Sequence, residues 1–78
     1  MELEQFIRDF EAAIEDLPVG SLTAESHFRK LEQWDSLAVL TVIAMANSEY
    51  GFALKARDLK RFDTVEALFA FIESSQNP

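Results

Sequence analysis

Hydrophobic residues recur every three or four positions along the N-terminal part of the chain. They are Leu3, Phe6, Ile7, Phe10, Ile14 and Leu17. This spacing predicts an amphipathic α-helix whose apolar face packs against the rest of the protein. Pro18 and Gly20 would end the helix, since both residue types break helices. On its polar face Glu11 and Glu15 lie one turn apart, and we expect both carboxylates to be solvated.

Residues 20–34 lack a sustained helical or strand period, which predicts a long first loop. Loops of this length in a small domain are usually functional or are held down by inserted side chains. Leu22 and Phe28 are the apolar residues that we expect to anchor this loop in the core.

A second helix is predicted to begin at Asp35 or Ser36 and to end at Gly51. With residues about 100° apart around the axis, its inward face consists of Val39, Leu40, Val42, Ile43, Ala46 and Tyr50. The opposite face consists of Leu37, Thr41, Ala44, Met45 and Ser48. Because this outward face is uncharged and partly apolar, it is typical of a surface that binds a partner. A central helix covered on both sides would have the same composition.

Two further helices complete the predicted fold. Residues 55–62 suffice for one or two turns with Leu59 directed inward, and Asp63 and Thr64 would cap a final helix. The inward positions of that helix are Val65, Leu68, Phe69 and Ile72. No segment alternates with period 2, so the predicted fold class is all-α: a four-helix bundle with three main helices, one short helix and a long first loop. We expect residues 1–73 to form a single domain and residues 74–78 a flexible tail.

Composition narrows the possible functions. The 78 residues include no cysteine, a single histidine (His27), no glycine-rich phosphate loop and no metal-ligand spacing, so we expect neither catalysis nor a metal site. The net charge of −7 disfavours nucleic acid as a ligand and favours basic partners. The chain has no apolar stretch long enough to span a membrane and no basic signal region at its N-terminus, so we expect a cytoplasmic protein.

The candidate functional residue is Ser36, which follows the long loop and begins the uncharged helix. A hydroxyl at a helix N-terminus with no base beside it is poorly suited to act as a nucleophile, but it is accessible to modification by another enzyme. The positive end of the helix dipole and its free amides would favour an attached phosphodiester. In the alternative interpretation, Ser36 is only a helix cap.

Several motifs in order along nearly the whole chain resemble those of the acyl carrier protein family. They are Glu25-Ser26-His27-Phe28, Asp35-Ser36-Leu37, Glu49-Tyr50-Gly51, Phe62-Asp63-Thr64-Val65, Leu68 and Phe71-Ile72. The resemblance implies that Ser36 carries 4′-phosphopantetheine, attached by a magnesium-dependent phosphopantetheinyl transferase that uses coenzyme A. The thiol of this arm would hold an acyl group as a thioester and present it to acyl-transferring, condensing or ligase enzymes. Carriers of this kind are generally monomeric.

The same resemblance suggests roles for further residues. Asp35 would help the transferase to recognise the site, Leu37 would contact partner enzymes, and Ala44 and Met45 would be secondary contacts. A bound acyl chain would enter a cavity between the second and the short helix. The residues expected around it are Ile43, Ala46, Leu59 and Phe62, for which ordinary core packing is the alternative.

Three departures from the family pattern point to a specialised lipid, polyketide or secondary-metabolite pathway rather than to housekeeping fatty acid biosynthesis. Gln33 replaces a frequent glycine, the second helix has Glu49 as its only acid, and residues 55–61 are basic. The acidity is concentrated before Ser36, on a helix that we expect to be badly placed for steering a basic partner towards it. An aminoacyl or peptidyl carrier remains an alternative, as does an unmodified acidic helical interaction domain.

Overall fold

The computed structural model describes residues 2–76 and consists of four α-helices and one 3₁₀ turn. The helices are α1 (Leu3–Ala13), α2 (Ser36–Tyr50), α3 (Ala56–Arg61) and α4 (Val65–Gln76), and the turn is Phe28–Lys30. The predicted all-α bundle, with three main helices, a short third helix and a long first loop, is confirmed.

Helix α1 is shorter than its hydrophobic period suggests. It ends at Ala13, and Ile14 takes an extended conformation with φ −101° and ψ 117°. Asp16 then adopts a left-handed conformation with φ 66°. Ile14 is nevertheless buried, and Leu17 packs against the core. The hydrophobic period continues past the end of the helix because Ile14 and Leu17 contact the core from the turn that follows it. At these two positions the spacing indicates burial and not helical structure.

Aromatic side chains join α1, the long loop and α4 in one core. The ring centroids of Phe6 and Phe69 are 5.5 Å apart, and those of Phe10 and Phe28 are 5.3 Å apart. Trp34 contacts Phe28 edge to face at 5.1 Å. Such pairs contribute about 0.5–1.5 kcal/mol each beyond the burial of their area. These contacts attach the loop to the helices at two of its side chains.

The loop is held by polar bonds as well as by its apolar anchors. Leu22 and Phe28 are buried, as predicted. Glu11 Oε2 accepts hydrogen bonds from the backbone N–H groups of Gly20 at 3.0 Å and of Leu22 at 2.9 Å. The expectation that Glu11 is solvated was therefore wrong, because its carboxylate supplies the acceptors that loop amides need where the loop crosses α1. Glu15 is exposed.

The middle of the loop is tied to the start of α4. Val65 N donates to Ser26 O at 3.2 Å, and Glu66 N donates to Ala24 O at 2.9 Å. Thr64 Oγ1 accepts from Ala67 N at 3.1 Å and thereby caps α4. The residues predicted to face inward on α4 are all buried: Val65, Leu68, Phe69 and Ile72.

Helix α2 is oriented differently from the prediction at two positions. Val42 and Ala46 are fully buried and Ala44 is exposed, as expected. Leu40, however, is 64% exposed, and Met45 is only 9% exposed. A helix that is apolar on every side has little amphipathic asymmetry, so the helical wheel alone could not orient it. Packing against α1 determines the orientation and turns Met45 inward.

The helical structure continues beyond the predicted start of the tail. Helix α4 extends to Gln76, and the hydroxyls of Ser74 and Ser75 each donate to Phe71 O at 3.1 Å. Serine hydroxyls bond back to the preceding turn in this way without interrupting a helix. The last two residues of the predicted tail, Asn77 and Pro78, lie outside the described residues.

Replacing Glu11 should detach the loop from α1. We expect Glu11→Ala to lower the free energy of unfolding by about 1–3 kcal/mol, because it removes the acceptor of two amides, one of them buried. Urea denaturation followed by circular dichroism measures this change. Glu15→Ala removes the same charge from the exposed surface and should change stability by less than about 0.5 kcal/mol. Equal losses in the two variants would contradict the assigned role of Glu11.

Tyr50 is the only tyrosine, so its ionisation can be followed directly by absorbance. Burial, and then the hydrogen bond that its hydroxyl donates to Asp9 Oδ2 at 2.5 Å, raises the pKa of Tyr50 well above its usual value. We expect the titration midpoint in the folded protein to exceed that in urea, which should be about 10. Since the folded pKa is the higher one, this contribution to stability is present below about pH 10 and is lost as the pH rises further. Asp9→Asn should lower the midpoint only in part, and identical midpoints with and without urea would refute the assignment.

Candidate functional site

Ser36 is the first residue of α2, and its side chain is exposed. The cap of this helix is Asp35, whose Oδ1 accepts from Ala38 N at 2.8 Å. Within residues 2–76, Ser36 Oγ takes part in no hydrogen bond of this cap or of the neighbouring loop. The hydroxyl is therefore available for chemistry, and the alternative in which Ser36 serves only as the helix cap loses its basis.

The first turn of α2 has free backbone donors around the hydroxyl. The first helical hydrogen bond runs from Val39 N to Asp35 O at 3.1 Å, and the Ala38 amide is occupied by the Asp35 carboxylate. The amides of Ser36 and Leu37 precede these bonds. Together with the dipole of a 15-residue helix, they favour negative charge at this end.

Acidic residues from three parts of the chain meet beside Ser36. A pocket of about 360 Å³ is lined by Glu15 and Asp16 from the turn after α1, Glu32 from the loop, and the two neighbours of Ser36, Asp35 and Leu37. The turn after α1 therefore lies beside the start of α2, and Glu15 and Asp16 add acidic groups there that α2 itself lacks. Within the described part of the chain, these carboxylates do not converge as a metal-binding group.

Exposed apolar side chains form a strip along α2. Leu37 is 51% exposed and Leu40 is 64% exposed, and Ala44 is exposed as well. Their spacing of three and four residues places them on one face of the helix. Of the predicted contact residues, Met45 does not belong to this strip, because it faces α1 and lines a groove with Ala13. Leu40, which was predicted to face inward, belongs to this strip instead.

The four residues expected around an acyl chain all lie in the core or are packed against it. Ala46 and Leu59 are buried in the core, and Ile43 and Phe62 are packed against it. A cleft of about 410 Å³ lies nearby, but Leu59 is the only one of the four that lines it. The other residues around this cleft are Arg29, Trp34, Val39, Ala56 and Lys60.

Trp34 determines how the loop enters α2. Its indole is stacked on Phe10 at 6.3 Å with an interplanar angle of 12°, and the backbone N–H group of Trp34 donates to Leu31 O at 3.1 Å. Within residues 2–76, Asp16 is the only residue other than glycine with a positive φ. Gln33 thus has a backbone conformation that needs no glycine, and its substitution for the usual residue is accommodated without strain.

The basic segment around α3 is partly neutralised. Arg61 pairs with Asp58 at 3.5 Å and lies over the rings of Phe62 and Phe71, at 5.2 and 5.4 Å from their centroids. Asp58 also accepts from Lys55 N at 3.0 Å, which fixes the start of the helix. Lys60, on the other hand, forms no ion pair with any residue of the described chain.

The family model described as "phosphopantetheine attachment site" matches residues 5–72 of this chain. The match extends from α1 into α4 and includes the long loop, Ser36 and the acidic pocket. Comparisons with curated proteins and with solved structures give no significant match. Among residues 2–76, no helix is long and apolar enough to cross a membrane.

Asp35 has a structural role that can be separated from its charge. We expect Asp35→Ala to lower the free energy of unfolding by about 0.5–2 kcal/mol, because the Ala38 amide loses its acceptor. Asp35→Asn keeps an acceptor oxygen and should retain most of that stability. Urea denaturation of the two variants makes the comparison, and equal losses would show that the charge, rather than the cap, stabilises α2.

Proposed function

The chain belongs to the phosphopantetheine attachment family, whose members carry covalently bound 4′-phosphopantetheine, and on this premise we propose that Ser36 is the attachment residue of an acyl carrier protein. The observation that carries the proposal is the exposed Ser36 hydroxyl at the start of α2, left unoccupied because Asp35 makes the cap. The chain itself would act as a carrier and not as an enzyme.

The surroundings of Ser36 suit a phosphodiester. The free amides of the first turn and the positive end of the helix dipole stabilise negative charge at the Ser36 oxygen. The Ser36 side chain is exposed, so the hydroxyl is accessible to a modifying enzyme. Asp35 is engaged with the Ala38 amide, which orients its carboxylate back towards the helix.

Loading requires a separate phosphopantetheinyl transferase with magnesium and coenzyme A. Ser36 Oγ forms the new bond to the phosphorus that bears the pantetheine. The bond between this phosphorus and the departing adenosine 3′,5′-bisphosphate breaks, and the hydroxyl proton passes to a base of the transferase. Within residues 2–76, no histidine or carboxylate is hydrogen-bonded to the Ser36 hydroxyl, which agrees with a base supplied by the other enzyme.

Once attached, the arm supplies the thiol that this cysteine-free chain lacks, and that thiol holds an acyl group as a thioester. Acyl-transferring, condensing or ligase enzymes would then bind beside Ser36. The exposed Leu37 and Leu40 offer them an apolar contact, and the acidic pocket favours a basic rim on the partner. We assign the carrier to a specialised pathway because charge is absent from the outer strip of α2 itself.

Intact-protein mass spectrometry tests this proposal. After incubation with coenzyme A, magnesium and a broad-specificity transferase, the protein should gain the mass of one phosphopantetheine. Ser36→Ala should remain folded by circular dichroism and should gain nothing. Ser48→Ala is the matched control, because Ser48 is also an exposed serine on α2, and this variant should be loaded like the unaltered protein.

The result also separates the carrier from the alternatives. Loading of Ser36→Ala, or no loading of the unaltered protein by a broad-specificity or a dedicated transferase, would contradict the proposed function. If the loaded protein accepts only amino acids from activating enzymes, it is an aminoacyl carrier and the acyl assignment is wrong.

A further inference from the structure

The cleft lined by Trp34 adjoins the proposed attachment residue. Trp34 precedes Ser36 by two residues, and Val39 follows it by three, so two walls of the cleft lie within one turn of Ser36. Ala56 and Leu59 of α3 form the opposite wall. An arm attached to Ser36 can therefore fold back into this cleft without crossing another element.

The apolar walls are already formed. Leu59 is 1% exposed, and the Trp34 indole is held between its contacts with Phe10 and Phe28. A volume of about 410 Å³ lies at the lower end of the range of about 300–1,000 Å³ for ligand pockets. A short acyl group fits such a cleft better than a long one.

Two cationic side chains line the same cleft. Arg29 reaches it from the loop and is oriented by its ion pair with Asp63, whereas Lys60 reaches it from α3 and has no ion pair within the described chain. A purely hydrocarbon ligand would make no use of these cations. A carboxylate would gain charge-assisted hydrogen bonds from them.

Charge differs between the two pockets that flank Ser36. The one that contains Asp35 and Leu37 is lined by carboxylates, and the one that contains Trp34 and Val39 is lined by Lys60 and by Arg29, whose charge is shared with Asp63. An anionic group on the arm would be repelled from the first pocket and attracted to the second. The charges of the two pockets therefore favour the Trp34 cleft for an arm that carries an anion.

We propose that the Trp34 cleft binds an acyl group that ends in a carboxylate, a dicarboxylic acid held on the arm of Ser36 as its half-thioester. This inference rests on the proposed function and specifies the class of cargo. The apolar walls contact the methylene groups, and Lys60 and Arg29 bind the terminal carboxylate.

Trp34 is the only tryptophan, so its fluorescence reports directly on the cleft. A transferase can load the protein from adipoyl- or hexanoyl-coenzyme A, whose acyl groups have equal carbon number and differ in the terminal carboxylate. We expect the adipoyl form to protect Trp34 from acrylamide quenching about two- to fivefold better, the effect expected of one exposed ion pair. Both forms contain the same phosphodiester, so the difference reports on the carboxylate alone. Added salt should reduce the difference.

Lys60→Gln should remove most of the adipoyl preference. Arg57→Gln is the matched control, because it removes the same charge from an exposed position on α3 that does not line the cleft, and it should keep the preference. Equal protection by both acyl groups, or equal losses in the two variants, would overturn the carboxylate assignment while leaving the proposed function intact. Failure to load Ser36 would contradict both proposals, and mass spectrometry of each sample detects that outcome.

Discussion

The insertion of Phe28 into the core is the contact on which the arrangement around Ser36 depends. Its ring packs against both Phe10 of α1 and Trp34, at centroid distances of 5.3 and 5.1 Å, and those two rings also stack on each other. A loop of this length would otherwise retain the conformational entropy of a free segment, so its position at the start of α2 must be stabilised by packing. Glu11 completes the attachment from the other end by bonding two loop amides.

Fixing the loop determines both sides of Ser36 together. The segment that leaves α1 returns across the helix, so Glu15 and Asp16 come to lie beside Asp35. The same segment carries Trp34 into the wall of the cleft on the other side. Neither the acidic pocket nor the cleft belongs to a single helix. Their charges and shapes come from residues that are distant in sequence and are brought together by one aromatic cluster.

The sequence predicts the helices and the anchors well, and the orientation of α2 poorly. Periodicity identifies α1 and α4, and cap residues locate the start of α2, because both signals are local. Met45 and Leu40 could not be assigned to the correct faces, since a helix apolar on all sides is oriented only by its neighbours. Glu11 was predicted to be solvated because its partners are backbone amides. Every residue type except proline has a backbone amide, so the sequence does not identify these partners. The cleft depends on the tertiary position of Trp34 and was missed for the same reason.

Because the outer strip of α2 carries no charge, the proposed carrier contacts a partner with one element and orients it with others. Leu37, Leu40 and Ala44 form a neutral strip that can contact a partner through apolar burial but gives little orientation, because hydrophobic contact is non-directional. Orientation then has to come from charges on other elements. The carboxylates of the α1 end and the loop can direct a basic partner to one side of Ser36, and the cations of the loop and α3 can direct an anionic cargo to the other. A partner and a cargo with opposite charges would thus approach the same serine without competing for the same surface.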